Sequence, residues 1–277
     1  MNLSLSVRIA EGFLSKEHPI LPLAELADVA LSAGYSALCM RASQIGVNSS
    51  AEHVMHAAKM LSANDLSVSM ITGDFDIVYN NERGPNALAN ISPYLELATA
   101  LGSTLIRVAL KKQEDIPLAQ RAADAAREVG IRLVHQCHTL SLFETVESIE
   151  TTLKAIGREN FGIIYEPANL ELCGQSYGRD TLERLAPWIF NVYLQNQRLK
   201  PDGAVTLDTW CRGPVAFDII QIHEPEGIRF AEVIGGLRHI GYDGWLTVHQ
   251  SAPEGTTPAA SAQQTADYLR ELLVLPS

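Results

Sequence analysis

Ile131-Arg132-Leu133-Val134-His135-Gln136-Cys137-His138 is the stretch on which the reading of this chain turns. A short apolar run ends in an amide and an imidazole. Two other runs end the same way. Phe161-Gly162-Ile163-Ile164-Tyr165 leads into Glu166-Pro167-Ala168-Asn169, and Gly244-Trp245-Leu246-Thr247-Val248 leads into His249-Gln250. In a chain of alternating strands and helices, functional groups gather at the C-terminal ends of the strands.

On either side of it, strand-like runs are expected at Leu3–Ile9, Ala37–Met40, Ser67–Thr72, Thr104–Leu110, Ile131–Gln136, Phe161–Tyr165, Phe190–Leu194 and Trp245–Val248. Helical spacing falls between them, at Leu21–Ala33, Ser50–Ala63, Gly84–Leu101, Ile116–Val129, Leu142–Ile156, Thr181–Ala186, Phe230–His239 and Ala259–Leu273. Gly34, Gly130 and Gly241 each follow a helix and precede a strand, as left-handed caps do. Eight strand–helix units predict an α/β fold, a (β/α)8 TIM barrel formed as one domain over residues 1–277. An open doubly wound sheet would carry a glycine-rich phosphate loop after an early strand. Glu11-Gly12-Phe13 stands there instead, so no nucleotide cofactor is expected. Lys200–Gly227, rich in Pro, Asp and Gly, is expected as a long loop, either a lid over the strand ends or a surface excursion.

Composition narrows the function. The 277 residues are 47% hydrophobic and carry a formal charge of −11. That balance opposes nucleic acid or an anionic membrane as partner, since neutralising phosphates needs clustered Lys and Arg. No apolar run reaches the roughly 18 residues of a membrane span. The N-terminus alternates like a strand rather than a signal peptide, and Cys39, Cys137, Cys173 and Cys211 are scattered, so a reduced, cytoplasmic protein is expected. Homo-oligomerisation stays open.

The strand ends supply the chemistry. Gln136 and His138 share parity and can both face the barrel axis, whereas His135 faces outward. Glu166 and His249 can bind a divalent cation or act as general base and acid. Arg8, Arg41 and Arg107 suit an anionic substrate group; alternatively they pair with Asp74, Glu11 or Glu166. Thr72, Asn169, Tyr193, Gln195 and Asn196 complete the polar set. Taken together, these groups are better explained as a binding site than as separate solvated strand ends.

At these residues the chain resembles the xylose isomerase-like barrel superfamily, the sugar phosphate isomerases and epimerases with inosose dehydratases, ketose 3-epimerases and endonuclease IV as relatives. The wording most like the family is Leu237-Arg-His-Ile-Gly-Tyr-Asp-Gly-Trp-Leu-Thr-Val-His249, with Gly130–His138, Gly162–Asn169 and Asn191–Asn196 also similar. The resemblance implies one divalent metal held by Glu, Asp, His and Glu at the ends of strands five to eight. Those positions here are Gln136, Glu166, Tyr193 and His249. Glu166 keeps a carboxylate, but two acidic ligands are gone, which disfavours Mg²⁺. Glu166, His249 and His138, with Gln136 as a weak fourth ligand, would suit Zn²⁺, Mn²⁺ or Fe²⁺.

Two readings follow. In the first, the chain isomerises, epimerises or dehydrates a small keto-sugar, polyol or sugar acid. Glu166, His249 and His138 would carry the proton chemistry. Gln136, Asn169, Tyr193 and Gln195 would contact the substrate, with Arg41 and Arg107 on its anionic end. In the second, the metal chemistry is lost and the barrel binds a sugar-like ligand or serves as a non-catalytic subunit.

Overall fold

The computed structural model describes residues 1–12 and 16–274. Strands β1 (Asn2–Ser6), β2 (Ala37–Arg41), β3 (Ser67–Thr72), β4 (Leu105–Val108), β5 (Arg132–Gln136), β6 (Phe161–Tyr165) and β7 (Ile189–Leu194) come first in the chain. Then follow β8 (Gln197–Leu199), β9 (Val205–Thr209), β10 (Gly213–Ile219) and β11 (Trp245–Val248). Eight of them close a barrel in the order β1-β11-β7-β6-β5-β4-β3-β2. The chain is a TIM barrel, with helices between the strands.

Gly34, Gly130 and Gly241 take φ of 73°, 72° and 71°, the left-handed geometry expected of caps leading into strands. The anticipated helix Gly84–Leu101 is instead two pieces, Asn86–Ala89 and Ser92–Ala100. Pro93 opens the second piece, where its missing N–H costs nothing.

Two departures bear on the site. The first strand stops at Ser6 rather than Ile9. Ser6 Oγ accepts the Arg8 N–H at 3.2 Å and caps a 3₁₀ turn, Val7–Ala10. Arg8 therefore sits above the strand end, not in it. The segment Lys200–Gly227 is not a loop throughout. β9 and β10 pair antiparallel, and β10 also pairs with β8, in a separate three-stranded sheet. Val205-Thr-Leu-Asp-Thr209 alternates apolar and polar side chains, the period of a half-buried strand. Pro and Gly in the surrounding sequence hid that signal.

Inside the barrel, Cys39, Met70, Leu105, Val134, Ile164 and Tyr193 form one buried cluster. Strand side chains alternate with period two, so the next inward position on each strand is two residues later. Those positions are Arg41, Thr72, Arg107, Gln136, Glu166 and Gln195. An apolar interior layer therefore supports a polar and charged one at the C-terminal mouth.

Gly162 shows how closely β6 meets its neighbour. A Cβ there would collide with the Trp188 carbonyl oxygen and lie 2.8 Å from the Phe190 ring. Gly162→Ala is expected to lower stability by about 1–3 kcal/mol, as overpacking does. Urea denaturation measures this, and an unchanged midpoint would contradict the close packing.

Candidate active site

Side chains from β1, β2, β7 and β11 and from the turns that follow them make one half of the barrel mouth. Glu11 and Arg41 form a bidentate pair, Arg41 Nε to Oε1 at 2.8 Å and Nη2 to Oε2 at 3.0 Å. Both are buried. Glu11 also accepts from Ser43 Oγ at 2.6 Å and Arg8 Nη1 at 3.4 Å. The third Arg41 nitrogen, Nη1, lies 3.2 Å from His249 Nε2. A guanidinium has no acceptor, so Nε2 must accept, and the ring proton sits on Nδ1, which donates to Ser6 Oγ at 3.0 Å. The His249 ring stacks on Tyr193 with centroids 3.8 Å apart. Burial, then Arg41 and Arg107, hold His249 neutral, its pKa well below the ordinary imidazole value. The Tyr193 hydroxyl lies 3.4 Å from Cys39 Sγ.

The other half comes from β5 and β6. Glu166 Oε2 accepts from Gln136 Nε2 and, at 2.5 Å, from Asn169 Nδ2. Asn169 reaches this point from the first turn of the helix Pro167–Leu172, and its Nδ2 also donates to the Cys137 carbonyl at 2.9 Å. Oε1 of Glu166 has no hydrogen-bond partner among the described residues. Burial pushes the Glu166 carboxyl up to about 7, against the two amides and the Arg107 charge, which act to lower it. His138 turns away toward the loop after β3. Its Nδ1 lies 3.1 Å from Asn80 Nδ2 and 3.0 Å from the Thr139 carbonyl, leaving Nε2 as the available ring nitrogen. Burial and Arg107 keep this ring neutral too. His135 faces outward as expected, stacked on Phe143 at 3.9 Å.

Arg107 on β4 stands between the halves. It is 3% exposed, and its charge acts on Tyr193, Arg41, Glu166 and Cys39. Lys16 adds a further cation. Burial, then Arg8, Arg41 and Arg107, push its ammonium down to about 7. Against Arg8, Lys16, Arg41 and Arg107 stand Glu11 and Glu166, so the mouth is cationic although the chain is acidic. A 240 Å³ cleft lined by Val54, Met55 and Leu97 lies on the helical shell and carries none of these groups.

Three expected roles change in this geometry. Arg41 already has its carboxylate: Glu11 balances its charge, and each of its three nitrogens makes a hydrogen bond. His249 is not available as acid or ligand, because both ring nitrogens are hydrogen-bonded. The set Glu166, His138 and His249 does not assemble. Among the described residues, the one trio of acidic, His or Cys side chains with ligand atoms within 4.8 Å of one another is Glu144, Cys173 and Cys211. There the Glu144 carboxylate accepts the N–H groups of Leu140, Trp210 and Cys211 at 2.5, 2.8 and 3.0 Å, pinning the β9–β10 turn. Glu11 and Lys16 are the residues that sequence reasoning undervalued. Neither lies on a strand, and only the fold carries them to the mouth.

Acid/base and cationic side chains thus gather at the C-terminal mouth, the face at which TIM-barrel enzymes keep their active sites. More specifically, residues 27–272 match the family of xylose isomerase-like TIM barrels, and the chain belongs to that family. No curated protein matches the sequence. Among solved structures, it is similar to the IOLI protein with a bound zinc atom, at 14% identity and a TM-score of 0.73, over 99% of this chain and 98% of that one. It is also similar to the probable 3-DHS dehydratase AsbF from Bacillus anthracis, at 15% identity and TM-score 0.70, covering 98% and 99%. A third is the D-allulose 3-epimerase from Methylomonas sp., at 12% identity and TM-score 0.71, covering 98% of each chain.

The family resemblance implies a divalent cation at the ends of the last four barrel strands, β5, β6, β7 and β11, but the donors present do not fit one. Gln136 turns its amide N–H, not its oxygen, to Glu166. His249 Nε2 already accepts a hydrogen bond from Arg41. The charges of Arg41 and Arg107 act on this same space. This donor set suits an anion rather than a cation.

Proposed function

We propose that the chain catalyses proton abstraction next to a carbonyl, in the isomerisation, epimerisation or dehydration of a small keto-sugar, polyol or sugar acid. The observation that carries this reading is Glu166: buried, oriented by two amides, with one free oxygen and a pKa near 7. A general base works best when its pKa lies near the operating pH. Abstraction of the proton leaves negative charge on the carbonyl oxygen, and a fixed cation or N–H donor stabilises that oxyanion. Arg107, buried beside Glu166, supplies such a charge. Glu166, once protonated, is the group that can return the proton; the neutral His138 has Nε2 open to hydrogen-bond the substrate, while His249 serves by holding Arg41 and Tyr193 in place.

The test does not depend on which compound is the natural substrate. A panel of keto-sugars and sugar acids is incubated with the protein in D₂O, and loss of the C–H signal next to the carbonyl is followed by NMR. Exchange in at least one compound is expected from the wild-type protein. The departure of the family's acidic ligands favours a second reading, a barrel that binds a sugar-like ligand without turnover. Binding without any exchange would select that reading and reject the first.

A further inference from the structure

The last inward-facing residues of three adjacent strands share one property. Thr72 on β3, Arg107 on β4 and Gln136 on β5 each bury a polar atom that has no hydrogen-bond partner among the described residues: Oγ1, Nε and Oε1. They are 0%, 3% and 4% exposed. Such atoms are rare in folded proteins, because each forfeits its hydration without compensation. Three side by side are not explained by packing.

Arg107 is the most telling of them. Arg41, one strand further round the barrel from Thr72, carries its own carboxylate, Glu11. Arg107 makes no hydrogen bond or ion pair with any described residue. Burying an unpaired guanidinium is costly unless something else supplies the anion. A hydroxyl and an amide oxygen flank it, matching the hydroxyl groups of a small polyhydroxy compound.

We propose that Arg107 is the carboxylate-binding residue of this barrel, and that the substrate is a small hydroxy- or oxo-carboxylic acid. Its carboxylate occupies the guanidinium fork, and Thr72 and Gln136 take the adjoining hydroxyls. The inference rests on the barrel mouth being the active site and narrows the substrate from sugars in general to sugar acids. A carboxylate is chosen over a phosphate because Arg107 is a single fork and offers one uncompensated charge. Arg107 then serves the anion beside the strand ends where the family resemblance implied a metal ion, the two places sharing Gln136.

The experiment compares D-gluconate with D-glucitol, which has the same chain but no carboxylate, and with inorganic phosphate, by calorimetric titration. Wild-type protein is expected to bind gluconate at least about ten-fold more tightly than glucitol or phosphate. Treatment with EDTA leaves that affinity unchanged. In Arg107→Met, gluconate affinity falls to the glucitol level. Arg107→Lys keeps the charge without the fork and retains only part of the affinity. The ligand-free Arg107→Met protein melts no lower than wild type, because it loses an unpaired buried charge; a purely structural arginine would give the opposite shift. Equal binding of gluconate and glucitol, preferential binding of phosphate, no binding of either sugar compound, or full gluconate affinity in Arg107→Met would each overturn the proposal. Glu166→Gln, assayed the same way, is expected to bind gluconate at least as tightly as wild type. Gluconate binding with no exchange in D₂O would therefore fail the catalytic reading alone.

Discussion

Glu166→Gln is expected to slow proton exchange by about 10²–10⁴-fold, the range of a positioned general base, while the barrel stays folded. The amide cannot take up a proton, yet its oxygen can still accept from Gln136 or Asn169. The same substitution alters the pH dependence of stability in a defined direction. Burial raises the carboxyl pKa to about 7 in the folded protein, against about 4.3 in an unfolded chain. The folded state therefore holds a proton that the unfolded state releases. This contribution to stability is fully present below about pH 4.3 and is lost as pH rises through 7. Across that window the loss is on the order of 3 kcal/mol. His138 and His249, both held neutral by burial, act in the opposite sense as pH falls below the ordinary imidazole range, so the raw profile mixes several groups. The difference between wild type and Glu166→Gln isolates the carboxylate. It is expected to shift in favour of the variant between pH 5 and 8, by roughly the amount given above. Denaturant titrations at several pH values check this, and a difference independent of pH would remove the case for a buried, proton-holding base.

The second large effect falls on Glu11→Gln. Glu11 is 2% exposed and balances Arg41 through two hydrogen bonds and Arg8 through a third. Neutralising it leaves the buried Arg41 guanidinium facing Arg107 and Lys16 without its carboxylate. Removing one partner of a buried ion pair costs about 3–5 kcal/mol, more than the pair itself contributes. The double variant Glu11→Gln/Arg41→Met is expected to recover much of that loss, because the stranded charge goes with it. Chemical denaturation of the single and double variants gives the numbers. A single variant within about 0.5 kcal/mol of wild type would show that Arg41 is hydrated, contrary to its burial.

Much of the fold was legible in the chain, and for identifiable reasons. Runs such as Phe161–Tyr165 and Trp245–Val248 are strands with the bounds their sequence suggests, because parallel strands buried on both faces read as short apolar blocks. Parity placed Gln136 inside and His135 outside, because strand side chains alternate without exception along a regular run. The site was legible only as a list of residues. Which groups are spent on one another could not be read, because the deciding contacts join distant positions. Arg41 and His249 are 208 residues apart in sequence yet hydrogen-bonded. Glu11, just past a turn that read as the end of the first strand, meets Arg41 only when β1 and β2 pair.

Local periodicity and residue type are enough to specify the barrel and its polar mouth, and the resemblance to the family adds the departure from its acidic ligand set. Which cation is satisfied and which is not is settled only in the closed barrel, because the partners come from far apart in the chain. Arg41 and Arg107 are alike in sequence, each carried by an apolar strand. Closing the barrel brings Glu11 to the first and, among the described residues, no carboxylate to hydrogen-bond the second, and on that asymmetry rests the proposal that Arg107 receives an incoming anion.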